Sequence, residues 1–196
     1  MSKANLLNRR TVVTSLLKDR KGMIAVGGLG ASTNDMAAAG DHERNLYLWG
    51  AMGGAVMMGL GLALAQPDVP VVVITGDGEM LMGIGSLATV GLQKPGNLSI
   101  VVLDNERYGE TGGQTSHTAA AADLVGVAKA CGIADSSAIT TMAEVEALVP
   151  RLHDLKSGPR FANIKIDKAN VERILPMRDG VFIVNRIRGS LGHPPL

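Results

Sequence analysis

Two short stretches carry residue types suited to holding a metal and a phosphate. Gly76-Asp77-Gly78 follows the β-branched run Val71-Val72-Val73-Ile74, and Asp104-Asn105 follows a second apolar run at 98–103. A continuous apolar run between turn residues predicts a strand covered on both faces of a parallel sheet. In such a sheet the carboxyl ends of neighbouring strands open onto the ligand crevice, so an acid and an amide are expected side by side there. Magnesium takes oxygen ligands, one or two of them carboxylate-type, and fills the rest of its shell with phosphate oxygens and water. Asp77 can supply the carboxylate and Asn105 an amide carbonyl. Gly76 and Gly78 allow the backbone to approach a phosphate, and the helix predicted to begin at Glu79 adds free N–H groups at its N-terminus. Together these residues predict a site for a metal-held diphosphate. A lone Gly-Asp-Gly in a chain with 25 glycines would mean little; the two flanking strands give it weight.

Positioning those strand ends requires a regular α/β frame. Leu6, Val12, Val13, Leu16 and Leu17 recur at helical spacing, which predicts an opening amphipathic helix ending near Lys21-Gly22. A short strand over 23–26 is expected to lead into a flexible turn over 27–32, then a second short strand over 45–49 and a helix over 52–65. One helix is predicted over 79–93, stopped by Pro95-Gly96-Asn97 before the strand at 98–103. Residues 104–118 are polar and Gly-containing and read as a long functional loop. Helices over 121–130 and 142–155, with strands at 138–140 and 161–166, complete the alternation. The fold class expected is α/β, a mainly parallel sheet with helices on both faces. The whole of 1–196 is expected to form a single domain, with 172–196 as an interface tail on a partner subunit.

Gly-Asp-Gly, followed at the proper interval by Asn105 within Val-Val-Leu-Asp-Asn, resembles the signature of the thiamine diphosphate enzymes. That resemblance implies the thiamine diphosphate-binding fold, with thiamine diphosphate and Mg2+ as cofactors. It also implies that Asp77, Asn105 and the main-chain carbonyl of Arg107 bind the metal. The amides of Gly78 and Glu79 would lie near the diphosphate, with Gly76, Tyr108 and Gly109 in the same cofactor-binding set. Gly50-Ala51-Met52-Gly53 is similar to the family's Gly-x-(bulky apolar)-Gly turn. The implied roles are a Gly50 carbonyl that accepts from the aminopyrimidine and a Met52 that holds the cofactor bent. Gly30 and Ser32 stand where the family carries a turn touching the diphosphate, although Ala31 replaces the commoner hydroxyl residue.

Leu-Trp-Gly-Ala-Met-Gly-Gly-Ala, the stretch from Gly76 to Gly91 and Leu-Asp-Asn-Glu-Arg-Tyr-Gly-Glu resemble the diphosphate-binding part of sulfopyruvate and phosphonopyruvate decarboxylases. The resemblance spans about residues 23–166 and implies decarboxylation of a small 2-oxo acid. It further implies a pyrimidine-binding partner subunit that supplies the activating Glu, and a homodimeric contact within a larger hetero-oligomer. Gly50, Met52 and His117 are the candidate catalytic residues, His117 as a donor to the substrate carboxylate or to an intermediate. A carboligating enzyme of acetolactate synthase type would share every one of these motifs, and so would a non-catalytic cofactor-binding regulator.

Blander roles exist for several of these residues. Met52 could be ordinary core filler, Tyr108 and Glu110 could merely order the loop, and His117 could be a solvated or interface side chain. His42 and Arg44 could attract an anionic substrate or simply belong to an exposed charged loop.

Composition narrows the alternatives. A formal net charge of +1 without a Lys/Arg run argues against nucleic acid and anionic membranes. The single Cys131 can form neither an internal disulfide nor a CxxC motif, which fits a cytoplasmic setting and weighs against an iron–sulfur subunit. The N-terminal residues 1–22 scatter charge through their apolar stretch, unlike a secretory signal. The uncharged run at 46–65 is interrupted by Gly50, Gly53 and Gly54, which argues against a membrane span. Gly28-Leu29-Gly30 does not complete a dinucleotide fingerprint, because Thr33 stands where its last glycine belongs.

Overall fold

A computed structural model describes residues 6–169 and 171–196. The first five residues of the stretch considered as a leader, and Asn170, lie outside the described residues. Among the described residues eight strands are formed: β1 (Ile24–Gly27), β2 (Asn45–Tyr47), β3 (Val71–Gly76), β4 (Leu98–Asp104), β5 (Arg107–Tyr108), β6 (Gln114–Thr115), β7 (Asp135–Ile139) and β8 (Arg160–Lys165). Six of them build one sheet in the order β2-β1-β3-β4-β8-β7, and every pairing in it is parallel. The helices are α1 (Arg9–Leu17), α2 (Ala31–Ala38), α3 (Ala55–Ala65), α4 (Asp77–Met82), α5 (Ser86–Gln93), α6 (Leu124–Ala130), α7 (Met142–Leu148) and α8 (Gly180–Ser190).

The two central strands explain themselves. Val71, Val72, Val73 and Ile74 are wholly buried, as are Leu98, Ile100 and Val102 on the neighbouring strand. Each such side chain contributes about 1.5–3 kcal/mol relative to exposure, so these runs can only sit between two helical layers. Helix starts follow their caps. The Asn8 carboxamide accepts from Arg10 N and Thr11 N at the head of α1, and Thr141 with Glu144 closes a capping box on α7.

Three expectations need correction. The turn over 27–32 ends sooner than expected, because Gly30, with φ 77°, caps α2 and the helix runs from Ala31. Its inward face is polar, Ser32, Thr33, Asn34 and Asp35 all being buried, so no apolar period announced it. The single helix over 79–93 is broken into α4 and α5 at Gly83-Ile84-Gly85. There a Cβ on Gly83 would lie 2.3 Å from the Gly53 carbonyl, so two backbones touch where a helix would otherwise continue. The loop over 104–118 is largely ordered by the β5–β6 antiparallel hairpin. Strand and helix ends elsewhere differ from expectation by a few residues.

The C-terminal stretch docks on its own chain. Ile183 and Ile187 of α8 are buried, and Arg186 reaches Asp41 at 2.6 Å and the Asn45 carbonyl at 3.2 Å, covering the edge strand β2. Arg44 donates to the Ser190 carbonyl at 2.7 Å and also to the Gly22 carbonyl, so its charge is tied to this seam. Among the described residues no helix is long and apolar enough to cross a membrane.

Candidate functional site

The β3–β4 register opposes Gly76 to Leu103, which brings Asp77 and Asp104 to adjoining strand ends. Asp77 opens α4 and is almost fully buried, 2% exposed. Its Oδ2 accepts from the Ser116 hydroxyl and, at 3.1 Å, from the Thr118 hydroxyl. Thr118 Oγ1 also lies 2.8 Å from Asp104 Oδ1. Asp104 Oδ2 is balanced by Lys165 at 2.8 Å and by Asn163 at 2.9 Å. Burial pushes the Asp77 carboxyl above its ordinary range; the Ser116 hydrogen bond opposes this and the charge of Asp104 adds to it. Burial works against the Lys165 ammonium, but its pairing with Asp104 and Glu106 wins and raises its pKa.

Asn105 Oδ1 accepts from Arg107 N at 3.0 Å across Glu106, whose φ of 59° lies in the left-handed region. One cleft is lined by Ser32, Met52, Gly76, Asp77, Gly78, Glu79, Asn105, Arg107, Tyr108 and Gly109 together with Arg9, Arg10, Asn34 and Asp35. Gly30, Gly50 and Ala51 do not line it. A Cβ on Gly76 or Gly109 would meet nothing within 4 Å, so glycine there leaves volume to a ligand.

A second, more open cavity is lined by Met52, Gly78, Leu81, Met82, Tyr108 and His117. Met52, Gly78 and Tyr108 thus border both. The Tyr108 ring lies where a Cβ on Gly78 would be, 2.6 Å from its Cδ1, and the Tyr108 hydroxyl is 2.7 Å from His117 Nδ1. The partially exposed Met52 is therefore a cavity wall rather than core filler.

Glu79 does more than lend a backbone amide. Its carboxylate is buried, accepts from Thr75 Oγ1 at 2.7 Å, and is pushed upward in pKa by burial against the effect of that bond. The N–H groups of Leu29, Gly53 and Ala55 face it, although none closes a full bond to Oε1. Three Gly-rich turns, those around Gly28, Gly53 and Gly76, therefore meet at one side chain.

Sequence reasoning missed Ser116, Thr118 and the side chain of Glu79. It also missed Arg9 and Arg10, which pair with the buried Asp35 at 2.5 and 2.7 Å at one end of the cleft. The adjacent Arg9-Arg10 pair at a helix start was a visible signal. Nothing in the linear pattern links Ser116 to Asp77.

The donor set suits a metal-held diphosphate. Among the described residues no cluster of three or more His, Cys, Asp or Glu could hold a metal by side chains alone. One carboxylate, one amide oxygen and a backbone carbonyl leave a magnesium shell to be completed by phosphate oxygens and water. Asp77 is buried and has hydroxyl partners but no ion-pair partner among the described residues, so its charge is what such a cation would balance.

The family described as thiamine pyrophosphate enzyme, C-terminal TPP binding domain, matches residues 28–165. A phosphonopyruvate decarboxylase of Streptomyces viridochromogenes is 38% identical over 172 residues, 87% of this chain and 42% of that protein. Sulfopyruvate decarboxylase subunit beta of Methanothermobacter thermautotrophicus is 36% identical over 182 residues, 91% of this chain and 92% of that one. Benzoylformate decarboxylase of Polynucleobacter necessarius superposes with a TM-score of 0.67 at 20% identity, covering 84% of this chain and 34% of that one, a likeness of fold. The chain thus spans less than half of the first and third of these proteins.

Proposed function

This chain belongs to the thiamine pyrophosphate enzymes as a C-terminal TPP-binding domain, and on that premise we propose that it is the diphosphate-binding subunit of a magnesium-dependent decarboxylase. The substrate is a small 2-oxo acid of the sulfopyruvate or phosphonopyruvate kind, the substrates named in its relatives. The observation that carries the reading is the buried Asp77 beside Asn105 at adjoining strand ends, in a cleft floored by glycine.

Asp77, Asn105 and the Arg107 carbonyl hold Mg2+, and the Gly78 and Glu79 amides receive the diphosphate. Gly76, Tyr108, Gly109 and Ser32 border it, with Gly30 at the head of α2. Gly50, Ala51 and Met52 would form the turn against the organic part of the cofactor, with Met52 at the cavity wall. Bound thiamine diphosphate supplies the carbon that adds to the keto group and the ring that takes up electrons as carbon dioxide leaves. Tyr108 holds His117 through Nδ1, which leaves Nε2 to pass a proton at the mouth of the cavity.

The whole chain acts as one diphosphate-binding unit in the cytoplasm. The name subunit beta in a relative suggests a partner subunit, which would bind the pyrimidine and bring the activating Glu. The exposed Leu175, Val181 and Phe182 offer the C-terminal segment an apolar face for contact with a second copy.

The test has two parts. Co-purification with the product of the neighbouring reading frame, followed by a screen of 2-oxo acids with thiamine diphosphate and Mg2+, should yield carbon dioxide and an aldehyde; a 2-hydroxy ketone would instead mark a carboligase. Asp77→Ala should abolish metal-dependent cofactor binding in calorimetry while the fold persists, and an unchanged affinity overturns the site.

A further inference from the structure

Two hydroxyls, not one, converge on a single oxygen of Asp77. Ser116 Oγ donates to Oδ2, Thr118 Oγ1 stands 3.1 Å from the same oxygen with its single proton shared between Asp77 and Asp104, and the two hydroxyls lie 2.9 Å from each other. Ser116 is 2% exposed, and its own backbone N–H is fixed to the Glu106 carbonyl at 3.0 Å. Thr118 also touches Asp104 Oδ1, so one hydroxyl spaces two carboxylates on neighbouring strands. Oδ2 is thus held by Ser116 and flanked by Thr118, whereas Asp77 Oδ1 has no side-chain hydrogen bond among the described residues.

We propose that Ser116 and Thr118 are positioning residues that set metal selectivity, holding Oδ2 so that Asp77 binds a cation through Oδ1 alone. This rests on the assignment of Asp77 as a metal ligand. A single carboxylate oxygen suits the small octahedral shell of Mg2+, whereas Ca2+ takes more oxygens and readily accepts a carboxylate through both. The hairpin β5–β6 leads into both hydroxyls, and the strand end that carries Asn105 leads into the hairpin. One segment therefore supplies a ligand and restrains another.

The experiment titrates Mg2+ and Ca2+ separately into the full-length chain, in the assembly in which it purifies and with thiamine diphosphate present, and reads the ratio of the two affinities by calorimetry. Removing partners that orient a metal ligand typically lowers affinity about 10–100-fold. The pair Ser116→Ala with Thr118→Val is expected to lose Mg2+ affinity within that range and Ca2+ affinity by much less, which narrows the ratio. Thr118→Ser alone, which keeps a hydroxyl, is expected to retain the wild-type ratio. If the pair does not fold, Ser116→Ala alone is read for the same narrowing. An unchanged ratio, in a background where Asp77→Ala abolishes metal dependence, overturns the proposal and leaves the site standing. Metal dependence that survives Asp77→Ala overturns both.

Discussion

Gly28 and Glu79 contend for one space: a Cβ on Gly28 would stand 1.8 Å from Glu79 Oε2 and 2.9 Å from Thr75 Oγ1. The carboxylate fills the volume that glycine leaves open and from there reaches the turns that begin α2 and α3. Because the Glu79–Thr75 bond is buried, the side chain cannot simply swing aside. Gly28→Ala should therefore destabilise the chain by about 1–3 kcal/mol, the usual cost of overpacking. It should also weaken thiamine diphosphate binding more than Mg2+–pyrophosphate binding, since the displaced turn at Gly53 serves the organic part of the cofactor. Equal losses for both ligands would refute the role given to Glu79.

The same carboxyl predicts a pH dependence. Burial holds the Glu79 pKa above its ordinary 4.5, so between that value and its raised one the folded state binds more protons than the unfolded state. Stability from this group therefore falls as pH rises through the window, and above it the buried charge is a net cost. Glu79→Gln carries no charge, so its stability relative to wild type should improve from about pH 4.5 to a second, higher pH above the window. Urea denaturation of both proteins at the two pH values measures this; a constant difference would show that Glu79 does not titrate in that range.

Tyr108 and His117 are linked through hydroxyl and Nδ1 at 2.7 Å beside Met52. If His117 passes a proton, His117→Ala should lower kcat on the order of 100-fold, the lower end for acid–base catalysis, with little change in cofactor affinity. Tyr108→Phe keeps the ring against Gly78 but frees the imidazole, so it should lower kcat more than it changes KM. Steady-state kinetics across pH with the partner subunit present decides; a cofactor affinity that falls in step with kcat would make the pair structural.

Much of this frame was legible in the residues. The buried runs that became β3 and β4 are unmistakable because a strand covered on both faces has no polar side to show. Gly-Asp-Gly and Asp104-Asn105 fell at the ends of those strands, so the strands located the candidate site. α2 escaped because its buried face is built of Ser32, Thr33, Asn34 and Asp35, which an apolar period cannot reveal. The break between α4 and α5 escaped because its cause, the contact of Gly83 with Gly53, lies in a different part of the chain.

Local sequence determined which strands are central, which residues stand at their carboxyl ends and hence which chemistry the crevice could offer, because periodicity and turn residues act over a few neighbours. Only the tertiary structure decided that Ser116 and Thr118 meet Asp77, and that the buried Glu79 carboxyl packs against Thr75 and the space left by Gly28. The same is true of the C-terminal helix, which covers β2. Those outcomes depend on contacts between segments far apart in sequence, where a hydroxyl or carboxylate finds its partner only after the sheet has assembled.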